Sequence, residues 1–417
     1  SSARALASIP ASVKSIVKAL QTASTNPFSS FSSAKKPFSA ADLLLGNENK
    51  VPANKAPIST HSENTRMLEL SMRGYEATRF NEVANRLKNK GYSVKGFYHT
   101  SSWQEHWQGV IEEQLEIMDG RRARLTEKVQ RHGHSHSGVP HWASLLDIAT
   151  DLHMSVAGVE EDFEKISKAV RNLDLRNGDK ISMHRYDTIE RFSSKEAQTA
   201  AIAKHPDVSS GEYPTIRALS QHCKAERDAG RKAMVYYVHN KGGCCTKATN
   251  NPVGNWRDMM NAFVLEFPSI CMRALEAGYS TCGPAYQTGH YSGNFWWADC
   301  EHVADLSIPH DRFAAHDAEY YILTVTRDYG HDCDMAENCG YNPFHCKVNH
   351  YDFLCPRSRY QGVILNNLLN DELPPNPTHT YNNNTLAFVQ HQCSRLRALP
   401  SNKKKDWHRD VKRGSGH

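Results

Sequence analysis

The sequence predicts an α/β domain whose mainly parallel sheet is flanked by helices, and two observations carry that expectation. Strand-like and helix-like stretches alternate regularly from about residue 66 to 330, as they do in a chain that crosses over between parallel strands. The apolar run at 233–238 ends abruptly in His239-Asn240-Lys241-Gly242-Gly243, the way a buried strand ends where it meets a binding turn.

Residues 92–98 read as the first strand, and Trp103, Trp107, Val110, Ile111, Leu115 and Met118 then mark one face of a helix. A strand at 152–159 is followed by a helix through Phe163, Ile166 and Val170, and 180–184 is a short strand. Tyr213-Pro214-Thr215 opens a helix to about Arg227, with Pro in its first turn. Beyond the strand at 233–238, Trp256, Met259, Met260, Phe263, Val264 and Phe267 line an amphipathic helix whose continuation ends at Gly278. After residue 330 the periodicity fades into a Cys-, Asn- and Pro-rich region dominated by loops.

The expected organisation is a flexible leader or stem (1–65), a catalytic α/β domain (66–330), a Cys-rich extension packed on it (331–400) and a basic tail (401–417). The leader is rich in Ser, Ala, Lys and Pro, and Val13, Ile16, Val17 and Leu20 give it one short amphipathic helix. The missing initial Met indicates a processed or truncated start, and Gly414-Ser415-Gly416-His417 reads as an appended scar.

At 417 residues, with 39% hydrophobic and 23% charged residues, the chain can bury one large core or two modest ones. Its net charge of +5 is small, and the basic cluster around Lys403-Lys404-Lys405 comes with no nucleic-acid module, so nucleic acid is not an expected partner. No apolar run approaches the roughly 18 residues of a membrane span. All eleven cysteines follow residue 222, with Cys333, Cys339, Cys346 and Cys355 in quick order. Disulfides in an oxidising lumen account for them better than zinc does, although His331, His345 and His350 are interleaved. The expected location is the secretory-pathway lumen, Golgi or ER, and one sequon at Asn383-Asn384-Thr385 agrees with it. The alternative is an organelle-targeting role for the Ser-rich basic leader.

The chemistry concentrates in two stretches. At the strand end, His239, Asn240, Lys241 and Gly242 offer hydrogen bonds, a cation and close backbone approach to a diphosphate. Lys241 stands where a metal-binding Asp-x-Asp would be expected, so the diphosphate of a donor is neutralised without a metal, with Mn2+ or Mg2+ as the alternative. The second stretch is His290-Tyr291-Ser292-Gly293-Asn294-Phe295-Trp296-Trp297-Ala298. Aromatic faces beside short polar groups suit a pyranose ring, so His290, Ser292, Asn294, Trp296, Trp297 and the later Arg312 are sugar- or acceptor-binding candidates. The competing reading makes Phe295, Trp296 and Trp297 plain core. Asp299 and Glu319 are the candidate catalytic bases, Glu319 preferred over Asp317, against the ordinary role of a first-turn acid. His132, His134, His136 and His141 read as a surface loop, and Asp332-Cys333-Asp334 follows no apolar strand, so no metal site is assigned. No Walker, Gly-x-Ser-x-Gly or Gly-x-Gly-x-x-Gly pattern occurs.

Together, His239-Asn240-Lys241-Gly242, Trp256-Arg257-Asp258-Met259 and His290 to Ala298 resemble the pattern of a group of glycosyltransferase-like proteins from microbes and algae. Glu113-Gln114-Leu115 and Glu212-Tyr213-Pro214-Thr215 are similar to that group's first and third helices. The resemblance covers roughly residues 90–325 and implies a single Rossmann-like (GT-A type) transferase fold. The expected activity is transfer of a sugar from a nucleotide sugar to a hydroxyl of a glycan or glycoprotein. The alternatives are a non-catalytic carbohydrate-binding protein or scaffold on the same fold, and a metal-dependent hydrolase using the histidine cluster.

Overall fold

The computed structural model describes residues 59–121, 143–188, 194, 196, 200, 211–240, 252–287, 290–306, 318–319, 321–323, 340–344 and 354–370. The amphipathic helix expected at 13–20, the histidine loop, Lys241, Gly242, Arg312, Asp317, Asp332 to Asp334, the sequon and the basic tail lie outside these residues. Helix α1 (Ser59–Asn89) leads into strand β1 (Tyr92–Ser101), α2 (Trp107–Met118) and the short α3 (Leu145–Ile148). Then come β2 (Leu152–Ala157), α4 (Glu160–Arg171), β3 (Ile181–Tyr186), α5 (Tyr213–Asp228) and β4 (Lys232–His239). The next segment holds α6 (Pro252–Asn261), a π-helical turn (Ala262–Glu266) and α7 (Ser269–Glu276). The short strands β5 (Thr281–Cys282), β6 (Tyr286–Gln287) and β7 (His290–Tyr291) precede β8 (Trp296–Asp299) and α8 (Cys300–Asp305). Last are β9 (Gly340–Tyr341) and α9 (Gln361–Leu369).

The protein is α/β, with a seven-stranded sheet in the order β3-β2-β1-β4-β8-β5-β9 and helices on its faces. Strands β3, β2, β1 and β4 run parallel, whereas β8 is antiparallel to both β4 and β5. Alternation along β1 sends Val94 and Tyr98 into one core with α2, α6 and α7, and Phe97 into a second core beneath α5 and α8. Burial on both faces explains why the central strands read as nearly continuous apolar runs.

Three expectations are corrected. The helix after β1 starts at Trp107, and Trp103 stands before it, 41% exposed. The stretch from Trp256 to Gly278 is not one helix, because Pro268 lacks the N–H that would continue the ladder and instead caps α7. Helix α1 begins inside the segment read as leader. Its buried face carries Glu69, Arg73 and Glu76 among Leu68, Met72 and Phe80, which breaks the apolar periodicity that would have revealed it.

Those buried charges are cross-braced. Arg357 donates to Glu69 at 2.6 and 3.0 Å and to Glu266 at 2.8 and 3.3 Å, and Arg73 meets Glu266 at 2.8 Å. Glu76 accepts from the Ser269 N–H at 2.9 Å and from its hydroxyl, and burial pushes its carboxyl up to about 8. Disulfides Cys223–Cys300 and Cys271–Cys282 tie α5 to α8 and α7 to β5. Such bonds fit a protein of an oxidising compartment. Among the described residues, no helix is long and apolar enough to cross a membrane.

Candidate functional site

Strand β1 lies between β2 and β4, so the chain order reverses direction at β1. In an open α/β sheet, the crevice beyond the carboxyl ends of the two strands at such a point is where ligands bind. Here those ends are His99 to Ser101 on β1 and His239 with Asn240 on β4, and His99 pairs with His239 in the sheet register.

Asn240 closes the two strands together. Its N–H donates to the His99 carbonyl at 3.1 Å, its side-chain amide donates to the Ser101 carbonyl at 2.7 Å, and its Oδ1 accepts from the Ser101 N–H at 3.3 Å. This residue therefore acts as a clasp that extends the ladder, with its amide turned to the backbone and not to a donor. Gln114 of α2 braces the same end, donating to the His239 carbonyl at 3.2 Å and to Asn261 at 3.1 Å while accepting from Tyr98 at 2.7 Å. Beside it, Arg257 and Glu113 form a buried ion pair at 3.8 Å.

The centre of the cluster is Glu212, at the start of α5, which is not among the catalytic candidates the sequence offers. Its Oε2 accepts from the Tyr237 phenol at 2.6 Å and from the Asn294 amide at 2.5 Å. Its Oε1 lies 3.3 Å from His239 Nδ1. The other ring nitrogen of His239, Nε2, donates to the Gly293 carbonyl at 2.9 Å. His239 thus faces a carboxylate on one side and a carbonyl on the other, and joins the β7–β8 turn to β4. Burial first, then the Glu212 carboxylate, raise the Tyr237 phenol well above its ordinary range, so it stays a donor.

The turn itself needs left-handed backbone at Gly293 (φ 88°) and Asn294 (φ 57°). A side chain at Gly293 would run into Met260 and Trp256. Asn294 is fully buried, donates to Glu212 and accepts the Trp296 indole N–H at 2.7 Å. Trp296 stacks on Tyr237 at 5.3 Å, and Trp297 packs against Tyr236 while donating to the Val264 carbonyl at 2.9 Å. Neither ring reaches solvent. In place of an open sugar platform, the two tryptophans are core that holds the Asn294 turn in register. Ser292 is buried in the same turn, and His290 pairs with Gln287 in the small β6–β7 ribbon.

Asp299 does not join this group. It pairs with Met234, at the opposite end of β4 from His239, about 16 Å away along the strand. There it caps α8 by accepting from the Glu301 N–H at 2.9 Å, while burial raises its carboxyl. Glu319 lies closer to it: the carbonyl of the preceding Ala318 is 3.4 Å from the Asn294 amide, and the Glu319 charge adds the smallest of the influences that raise the Tyr237 phenol.

The β2 side of the crevice is built differently. Ser102 donates to Asp162 at 2.5 Å, and Asp162 also accepts from the Val159 N–H at 3.2 Å at the start of α4. With Glu160, Glu161 and Asp162 in its first turn, this helix start repels phosphate and suits hydroxyl groups. Trp103 follows the pinned Ser102 and is one of two large hydrophobic side chains exposed among the described residues. Among the described residues, no group of three or more His, Cys, Asp or Glu could hold a metal ion.

Residues 150–345 match the model of a family described as a domain of unknown function, DUF8361. That match spans less than half of the chain and takes in the whole of β2 to β8, including Glu212, His239 and Asn294. No curated protein and no solved structure matches the chain.

Proposed function

We propose that the chain is a glycosyltransferase of GT-A type that moves a sugar from a nucleotide-sugar donor to a hydroxyl of a glycan or glycoprotein. The observation that carries this reading is the cluster of Glu212, His239, Tyr237 and Asn294 at the point where the sheet order reverses. In it a carboxylate accepts from Tyr237 and Asn294 and lies 3.3 Å from the His239 ring, beside the carboxyl ends of two parallel strands. Crevices of this kind receive nucleotides.

The acidic, hydroxyl-favouring β2 side takes the nucleoside, with Trp103 as the stacking face that the two buried tryptophans do not offer. Lys241 and Gly242 follow directly on Asn240 in the chain and meet the diphosphate, the lysine acting as a metal-free point charge. Glu319 is the base that takes the acceptor proton. The disulfides agree with work in the Golgi or ER lumen. A second reading, a carbohydrate-binding protein without turnover, is favoured by His-Asn-Lys standing where an Asp-x-Asp is expected.

The test is a thermal-shift screen against common nucleotide sugars, with manganese and with EDTA. A ligand at 100 times its dissociation constant adds about 2.7 kcal/mol to the stability of the native state. Stabilisation that survives EDTA supports metal-free transfer, and a manganese requirement keeps the transferase but removes the lysine mechanism. Silence across the panel favours the binding protein. Turnover retained in both Lys241→Ala and Glu319→Gln would overturn the site.

A further inference from the structure

Among the polar side chains at the crevice, His99 has its bonding left half complete. It is 6% exposed at the carboxyl end of β1, where it sits in register with His239. Its Nδ1 contacts the Thr215 hydroxyl at 3.1 Å. Its Nε2 has no hydrogen-bond partner among the described residues, whereas both ring nitrogens of His239 are engaged. Nε2 is not among the buried unpaired polar atoms of the described residues, so it faces open space, and a hydrogen-bonding atom left open beside a binding crevice is a place for a ligand atom.

We propose that His99 Nε2 is a ligand-binding group that hydrogen-bonds a neutral hydroxyl or amide of the donor, on its nucleoside or sugar portion and not on its phosphates. This rests on the transferase reading and assigns one contact within it. Two observations support a neutral partner. Burial, with His239 next to it, lowers the His99 imidazole to about 4 against the pull of Glu212, so the ring is uncharged at neutral pH and lacks the cation a phosphate would need. The acidic first turn of α4 and the Ser102–Asp162 bond make the β2 side of the crevice a poor phosphate site. A neutral imidazole also adapts, since Nε2 donates in one tautomer and accepts in the other, with the Thr215 hydroxyl reversing its role to match.

Two substitutions separate this role from a structural one. Asparagine places a polar atom where Nδ1 stands and keeps the Thr215 contact, whereas glutamine reaches the position of Nε2 and loses it. Wild type, His99→Asn and His99→Gln are titrated with UDP-, GDP- and CMP-sugars, with the free nucleosides, with methyl glycosides and with pyrophosphate, and the melting temperature of each is recorded. The expected result is that His99→Asn melts like wild type but binds the donor about tenfold more weakly, the loss of one hydrogen bond. His99→Gln is expected to keep most of the affinity with a lower melting temperature, and pyrophosphate binding to be equal in all three. The same loss towards nucleosides places the contact on the nucleoside, and towards glycosides on the sugar. Unchanged donor affinity in His99→Asn overturns the proposal while leaving the transferase reading intact, and so does an equal loss of pyrophosphate binding. If wild type binds no nucleotide sugar and no nucleoside, the transferase reading and this contact fall together.

Discussion

The carboxylate of Glu212 and the phenol of Tyr237 meet at 2.6 Å across the gap between the start of α5 and the end of β4. The same carboxylate accepts from the Asn294 amide at 2.5 Å and lies 3.3 Å from the His239 ring. Glu212→Gln turns an N–H2 group towards them and should cost roughly 1–3 kcal/mol in urea unfolding. Tyr237→Phe, which removes one donor, should cost less. Because the two residues share a bond, the double variant should be non-additive by more than about 0.5 kcal/mol. Strict additivity would show that the cluster does not act as a unit.

Gly293 has φ 88°, and a Cβ there would meet Met260 and Trp256. Gly293→Ala combines strained backbone with overpacking, each of order 1–3 kcal/mol. The turn would shift, and with it the carbonyl that accepts from His239 Nε2. A melting temperature equal to wild type would mean that the turn adapts freely.

Trp103 is 41% exposed, and the loop that presents it is held at Ser102 by Asp162. Trp103→Ala should leave the unfolding free energy within about 0.5 kcal/mol of wild type. Donor affinity should fall about tenfold or more, since stacking of a base on an aromatic ring contributes about 1–3 kcal/mol. Undiminished affinity would remove Trp103 from the site.

Stability should vary with pH in two opposed ways. Burial lowers His99 and His153 to about 4 from an ordinary value of 6.5. Below 6.5 the unfolded chain takes up protons that the folded chain refuses, so this stability is complete above 6.5 and is lost as pH falls towards 4. Glu76 behaves oppositely. Its carboxyl is raised from 4.5 to about 8, so its contribution is complete below 4.5 and is lost as pH rises through 8. Glu76→Gln removes that loss. Its advantage in melting temperature over wild type should therefore grow between pH 5 and 8, and an advantage that stays constant with pH would refute the assignment.

Much of the sheet was legible because β1, β2 and β4 are buried on both faces and so form short apolar runs ending in turn residues. The direction of β8 was not, since Trp296 to Asp299 is too short for its composition to encode an antiparallel partner. The site was half legible. His239 and Asn294 stand out in their local motifs, and the structure joins both to Glu212. Glu212 belongs to a helix-start motif that assigns it no role, and His99 falls just past the strand read at 92–98. Their importance comes from meeting residues more than 80 and 130 positions away in the chain, which no local pattern encodes. The signal that was available for Glu212 was an acid in a helix start whose next strand ends in histidine. The tryptophans misled because adjacent aromatics look the same in a core and in a binding loop until their N–H partners are known.

Arg357 holds Glu69 and Glu266 at once, joining a helix near the start of the described chain to a turn in its middle and a segment near its end. During synthesis, the two carboxylates emerge from the ribosome long before their common partner does. Until residue 357 is free, closing α1 over the sheet would bury acids with Arg73 as the neighbouring cation, and removing one partner of a buried pair costs about 3–5 kcal/mol. Locking of α1 over the sheet is therefore expected to follow release of the segment that carries Arg357, so that the order in which the protein is made differs from the order in which it locks.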